Sequence, residues 1–262
     1  MDINKIIQSK GKSKLVMLTA YDFISAKILS EASVDIILVG DSLGNVILGY
    51  PNTIPVTMEE MLIHVAAVRR GAPKAFVVAD MPFLSYQCGV DKAVENAGNF
   101  LKVGANAVKI EGGIEVANII KKIVDFGIPV MGHLGLTPQY VNQIGGYKVQ
   151  GGSKKSKEKL LRDAIALQEA GVFSIVLELI VEETSKEITN AVKIPTIGIG
   201  SGRFCDGQVI VLHDLLGLIP SFKPKFVKRY ANLFEVSKKA VTEFIEDVKN
   251  GAFPSDENVF HI

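Results

Sequence analysis

Seven side chains in this 262-residue sequence could do chemistry together, and each lies within or just past a short apolar run. Asp41 and Ser42 follow residues 36–39, Asp80 follows 76–79, and Lys109 and Glu111 sit in and after 107–110. His133 comes two residues after 129–131, and Glu178 ends 174–177. An Asp after a strand is often only a helix cap or turn former, so no single one of these is decisive. The set is more informative. If the runs are parallel strands of one barrel, four carboxylates, a lysine and a histidine converge on the rim where such barrels do their chemistry. Several carboxylates in one mouth need compensating positive charge, which points to a metal ion. Oxygen ligands without a Cys or His cluster favour a hard ion such as Mg²⁺, which takes only one or two protein carboxylates. Lys109 and Glu111 are two apart on one strand and so share a face, as an ion pair or as a metal ligand beside an anion-binding cation. Glu178 lies between Leu177 and Leu179-Ile180-Val181, apolar surroundings of the kind that strengthen a carboxylate as a general base.

Eight runs rich in Val, Ile and Leu could carry these residues: 15–18, 36–39, 76–79, 107–110, 129–131, 174–177, 196–199 and 209–212. Helix-length amphipathic stretches separate them, the pattern of βα units around a parallel sheet. Thr57-Met58-Glu59-Glu60 is a capping box, after which Met61, Leu62 and Val65 line one face. Leu160, Ala164 and Leu167 mark another helix, and Leu233, Val236, Ala240 and Phe244 a last one. With no linker or low-complexity segment, the expectation is an α/β fold: one (β/α)8 barrel domain over 1–262, its first dozen residues a small helix closing the bottom. Between 199 and 209 there is no room for a full helix, so that connection is short or one of the last two strands is misplaced.

Lys plus Arg number 29 against 28 Asp plus Glu, a balance of +1 without a basic block, which argues against nucleic acid and membrane surfaces as partners. Small molecules and further copies of the chain remain. Cys88 and Cys205 lack CxxC spacing, so neither a disulfide framework nor a zinc site is expected. The N-terminus has no secretory signal pattern and no apolar run approaches a membrane span, which places the expected location in the cytoplasm. His64 reads as a solvated helix residue and His213 as a core or loop histidine. Gly198-x-Gly200-x-Gly202 is a weak match to a phosphate-cradling loop.

Eight linked motifs between residues 15 and 218 resemble the ketopantoate hydroxymethyltransferase family. They are LTAYD at 18–22, VGDSLGNVILGY at 39–50, VTMEEMLIH at 56–64, ADMPFLSY at 79–86, VKIEGG at 108–113, GHLGLTPQ at 132–139, GGYKVQG at 145–151 and IPTIGIGSGRFCDGQV at 194–209. The resemblance implies a (β/α)8 barrel with one Mg²⁺ in each subunit. It implies transfer of a one-carbon unit from 5,10-methylenetetrahydrofolate to 3-methyl-2-oxobutanoate, giving 2-dehydropantoate through a metal-stabilised enolate, in pantothenate biosynthesis. Carried over by position, Asp41, Asp80 and Glu111 are the metal-site acids, and Asp41, Ser42, Asp80 and Lys109 contact the keto acid. Glu178 is the proton acceptor. The resemblance also implies a homo-oligomer, a decamer. The folate pocket is not readable, although the loops at 81–88 and 134–151 border the mouth. Three positions depart from the family's habit: Ser201 for Ala, Tyr140 for a small residue, and Leu-Ile-Val after Glu178 for Cys-Val-Pro. The alternative is a Mg²⁺-dependent carbon–carbon lyase or mutase of the phosphoenolpyruvate mutase and isocitrate lyase kind. A keto-acid or folate binding protein would need no base, and Glu178 argues against it.

Overall fold

The structure, a computed structural model, describes residues 1–221 and 224–262. It falls into two compact units, 1–211 and 212–262. The first is a closed barrel of eight parallel strands, each hydrogen-bonded to the next and the last to the first. The strands are β1 (Leu15–Thr19), β2 (Ile36–Val39), β3 (Phe76–Asp80), β4 (Ala107–Glu111), β5 (Val130–Gly135), β6 (Ser174–Glu178), β7 (Thr196–Ile199) and β8 (Gly207–Ile210). Around them run α1 (Ile3–Gln8), α2 (Phe23–Glu31), α3 (Leu43–Val46), α4 (Met58–Gly71), α5 (Val90–Lys102), α6 (Ala117–Asp125), α7 (Val141–Ile144), α8 (Lys154–Glu169) and α9 (Glu182–Ala191). The fold is the expected (β/α)8 barrel.

The alternation of strand side chains builds the site's floor. Leu15, Met17, Ile36, Leu38, Phe76, Val78, Ala107, Met131, Val176, Ile197 and Val209 fill the interior as one apolar cluster, and Ile6 of α1 joins it. Ile6 thus places α1 against the apolar interior of the barrel. One inward position further along, the apolar side chains give way to Asp80, Lys109, His133 and Glu178, with Glu111 one step beyond Lys109. Register aligns them, for Asp80 pairs with Lys109, Glu111 with His133, and Gly135 with Glu178.

The capping box opens α4 as expected: Glu60 N–H donates to Thr57 Oγ1 at 3.2 Å and Thr57 N–H to Glu60 Oε2 at 2.8 Å. Leu160, Ala164 and Leu167 are buried on α8. No helix joins β7 to β8, so the short connection is the right alternative of the two. β8 also starts earlier than its apolar run, at Gly207, because a Cβ there would lie 2.6 Å from the Leu15 carbonyl oxygen; only glycine lets β1 and β8 close the barrel. Leu212 belongs to a helix instead.

The second unit holds α10 (Leu212–Leu216) and α11 (Leu233–Asn250), the latter ended by Gly251 at φ +72°. The face expected to be apolar on α11 is present, but no residue of that helix is buried; Phe234, Val241, Phe244, Ile245 and Val248 are all exposed. Among the described residues, no helix is long and apolar enough to cross a membrane.

Candidate active site at the C-terminal rim of the barrel

Five of the seven expected residues form a buried cluster, Asp41, Asp80, Lys109, Glu111 and His133, none more than 4% exposed. Asp41 lies just past β2, and its backbone N–H donates to Asp80 Oδ2 at 3.1 Å. Gly40 makes room for this turn, since a Cβ there would sit 2.8 Å from Ser42 Oγ. Lys109 Nζ stands 3.1 Å from Asp80 Oδ1 and 2.9 Å from His133 Nδ1. His133 in turn links the remaining acids, with Nδ1 3.4 Å from Glu111 Oε1 and Nε2 3.3 Å from Glu178 Oε2. The Glu178 side chain is 19% exposed. It is therefore the acid of this group that an incoming substrate meets. Ser42 is bonded elsewhere, its hydroxyl 2.8 Å from that of Tyr21.

Burial, and then the neighbouring Asp80 and Glu111 charges, push the Asp41 carboxyl well above the usual carboxylate range. Burial raises Asp80 too, outweighing the ammonium beside it. Lys109 would be lowered by burial, but Asp80, Glu111 and Asp41 reverse that and raise it. Burial and Lys109 act against charge on His133, whereas bonds to Glu111 and Glu178 favour it, and the balance pushes the imidazole up to about 9. Nδ1 accepts from Lys109 when the ring is neutral and donates to Glu111 when it is charged, but cannot do both at once.

Acids held up in this way are short of positive charge. Among the described residues, no three His, Cys, Asp or Glu side chains already stand as a complete cation site. Mg²⁺ does not ask for one, because it keeps waters and substrate oxygens beside one or two carboxylates. The all-oxygen donor set and the charge deficit around Asp41 and Asp80 fit a small, hard divalent cation.

Two residues that the sequence reading did not single out knit the cluster together. Gln139 Nε2 donates to Asp41 Oδ2 and to the Met81 carbonyl, both at 2.9 Å, and its backbone N–H donates to Glu111 Oε2 at 3.1 Å. The Tyr86 hydroxyl lies 3.0 Å from both Gln139 Oε1 and the Glu111 carbonyl. Both belong to motifs quoted above, GHLGLTPQ and ADMPFLSY, but no periodicity marks their side chains as inward.

Ser201 has a visible role. Its hydroxyl donates to the Leu177 carbonyl at 2.7 Å and accepts from Ile180 N–H at 3.0 Å, bracketing Glu178 and Leu179. Leu179 is at φ +47°, a conformation that costs a non-glycine residue energy, and this brace holds it. In the Gly-rich loop a Cβ on Gly202 would lie 2.6 Å from Glu182 Oε2, so this glycine accommodates an acid. His64 is half-buried rather than solvated, because its Nδ1 meets the Tyr21 carbonyl. His213 lies in α10 of the second unit. Cys88 is exposed and Cys205 buried, both free thiols.

The family model described as ketopantoate hydroxymethyltransferase matches residues 1–256. A Thermotoga neapolitana protein named 3-methyl-2-oxobutanoate hydroxymethyltransferase is 68% identical over 99% of this chain and 96% of its own length. One of the same name from Syntrophus aciditrophicus is 54% identical over 97% and 93%. Among solved structures, oxaloacetate acetylhydrolase in complex with 3,3-difluorooxalacetate aligns with a TM-score of 0.63 at 12% identity, covering 98% of this chain and 90% of that one. Phosphonopyruvate hydrolase in complex with oxalate and Mg²⁺ aligns at 0.60 and 15%, covering 98% and 93%. At such identities these two share the fold.

Proposed function

This chain belongs to the ketopantoate hydroxymethyltransferase family, and from that premise we propose that it moves a hydroxymethyl group from 5,10-methylenetetrahydrofolate to 3-methyl-2-oxobutanoate. The product is 2-dehydropantoate, a precursor of pantothenate. The observation that carries this reading is the single buried cluster formed by the ends of β2 to β6, with one acid, Glu178, open to the mouth.

The chemistry requires removal of the proton on C3 of the keto acid, whose negative charge then spreads to the 2-oxo oxygen. A cation held by Asp41 and Asp80, with Glu111 behind them, would supply the positive charge that draws the 2-oxo and carboxylate oxygens into place. Lys109 and Ser42 bind the substrate's carboxylate end, and the ammonium keeps its charge because three acids surround it. Glu178 accepts the C3 proton. His133 fixes the Glu178 carboxylate through Nε2 and ties it to Glu111 through Nδ1, so the base is oriented before substrate arrives. The C3 carbon then bonds to the methylene carbon, the two bonds from that carbon to N5 and N10 break, water supplies the hydroxyl oxygen, and the C3 proton with the remaining water proton restores the two N–H groups of the departing tetrahydrofolate. The enzyme works in the cytoplasm as a homodecamer; the exposed apolar face of α11 supports assembly with further copies.

Deuterium exchange at C3 of 3-methyl-2-oxobutanoate tests this reading. With Mg²⁺, the wild type exchanges the proton, while Glu178→Gln loses exchange by at least 100-fold and still binds the keto acid. A folded wild type that leaves C3 undeuterated with and without tetrahydrofolate defeats the proposal. Carbon–carbon bond cleavage in place of exchange would favour the lyase alternative.

A further inference from the structure

Tyr21 is only 1% exposed, and the proposed reaction leaves it unused. It follows β1 by two residues, and the Ala20 N–H, donating to the Leu38 carbonyl at 2.9 Å, carries the pairing of β1 with β2 up to it. Its own carbonyl accepts from His64 Nδ1 of α4, and its hydroxyl stands 2.8 Å from Ser42 Oγ. Main chain and side chain are both held. Residues of three motifs quoted above, LTAYD, VGDSLGNVILGY and VTMEEMLIH, therefore meet at this tyrosine. Ser42 is unusual in turn. It occupies the N-cap of α3, where a serine oxygen ordinarily accepts from a backbone N–H of the first turn, yet its side chain makes no capping bond. Its hydroxyl instead lies beside an acid of the cluster, for a Cβ on Gly40 would sit 2.8 Å from Ser42 Oγ and 3.3 Å from Asp80 Oδ2.

A serine hydroxyl has one hydrogen, and a 2-oxo carboxylate can only accept. The direction of that hydrogen therefore decides whether Ser42 attracts the keto acid or turns lone pairs towards it. Resting on the function proposed above, we infer that Tyr21 is a positioning residue whose hydroxyl donates to Ser42 Oγ and so turns the single Ser42 hydrogen out to the substrate's carboxylate. A phenol is the stronger acid of the two hydroxyls and hence the better donor. Burial raises the Tyr21 pKa, opposed by the bonds to Ser42 and Thr19 and aided by the Asp80 and Asp41 charges, so the phenol keeps the proton it donates. The Thr19 side chain, at the end of β1, also hydrogen-bonds the Tyr21 oxygen, which fills an acceptor role there with a residue other than Ser42. His64 fixes the backbone from which the phenol reaches Ser42, and β1 thereby contributes to a site whose charged groups all come from β2 to β6.

Tyr21→Phe keeps the ring and removes the donated hydrogen. Asp80 Oδ2 then competes for the Ser42 hydrogen, and the affinity of the full-length protein with Mg²⁺ for 3-methyl-2-oxobutanoate, read by calorimetry, falls roughly three- to tenfold. C3 exchange at saturating keto acid stays within about twofold of wild type, because the base is oriented through His133 and not through Ser42. Ser42→Ala weakens the keto acid too, and adding Tyr21→Phe to it costs nothing further, whereas a merely structural tyrosine would lower affinity in both backgrounds. Thermal melts show that each variant is folded. A loss below the stated range, a loss that falls on exchange rather than on affinity, or a second loss of the same size in the Ser42→Ala background overturns the inference. One further readout needs no change at Tyr21. With ¹³C at tyrosine Cζ, the Tyr21 carbon shifts when the keto acid binds, since a Ser42 that donates outward accepts more strongly from the phenol, and the shift is absent in Ser42→Ala. A Tyr21 carbon that the bound keto acid leaves unmoved likewise overturns it. Failure of the functional reading shows separately, as a wild type that neither binds the keto acid nor exchanges its C3 proton.

Discussion

Replacing Gln139 by Leu tests whether the acids of the rim are positioned by the amide that crosses between them. The substitution keeps the volume roughly constant and removes three side-chain hydrogen bonds, to Asp41 Oδ2, the Met81 carbonyl and the Tyr86 hydroxyl. Tyr86 retains the Glu111 carbonyl at 3.0 Å, so two buried acceptors, one of them a carboxylate oxygen, lose a partner. At about 1–3 kcal/mol for each stranded buried group, and more where the group is charged, the expected loss is roughly 2–6 kcal/mol. Gln139→Glu is closer in shape but supplies no donor to Asp41 and adds an acid to a cluster already short of positive charge. It should therefore destabilise at least as much as Leu, an order that packing alone would reverse. Urea unfolding at fixed protein concentration reads the midpoint, and an unchanged m-value licenses converting it to free energy. C3 proton exchange supplies the second readout, where the loss should fall on kcat because Asp41 is misaligned. An unmoved midpoint together with normal exchange in Gln139→Leu would refute the argument.

Burial pushes the Asp206 carboxyl up, but Lys10, Thr196 and Gly11 outweigh it and hold the group below the usual carboxylate range. The stability this supplies is complete above the ordinary Asp value of about 3.9 and disappears as pH falls through the lowered folded value. Asp206→Asn should accordingly cost roughly 1–3 kcal/mol at pH 7 and progressively less in acid, as read by thermal melts across pH. Removing the helix cap with Thr57→Ala should cost about 1 kcal/mol in urea unfolding with activity little changed, since Thr57 serves only the start of α4. Ser201→Ala strands the buried Ile180 N–H, for which about 1–3 kcal/mol is expected. It also relaxes Leu179, so C3 exchange should slow without loss of keto-acid binding; equal loss of both would show that the brace does not act through Glu178.

What could be read from the sequence follows from periodicity. A two-residue repeat that buries one strand face put Lys109 and Glu111 on the same side, while Asp80, His133 and Glu178 were legible from their positions at the ends of apolar runs. The barrel followed from the same repeat alternating with helical stretches. Gln139 and Tyr86 were illegible because both sit on loops, where side-chain direction depends on turns rather than on a repeat. The start of β8 was missed for a related reason: Gly207 and Gln208 look like loop residues, yet the close approach of Leu15 makes glycine the residue the strand requires. His64 was misread because the Tyr21 carbonyl that meets it is 43 positions away in sequence.

The division between strands and loops also separates the two halves of the proposed reaction. Proton removal requires groups held to within fractions of an ångström, and every group assigned to it stands on or directly beside β2 to β6, over an apolar floor that cannot shift one side chain without the rest. The one-carbon donor of the proposed reaction is large and must enter and leave, which loops permit and strands do not. Glu111 and Gln139 are hydrogen-bonded to each other, the Gln139 N–H donating to Glu111 Oε2 at 3.1 Å. Glu111 is the last residue of β4 and Gln139 stands in the loop after β5, so this bond is where strand and loop meet. Through His133 that bond leads to the base. Three consecutive polar contacts thus connect the Gln139 backbone in its loop to Glu178 at the end of β6.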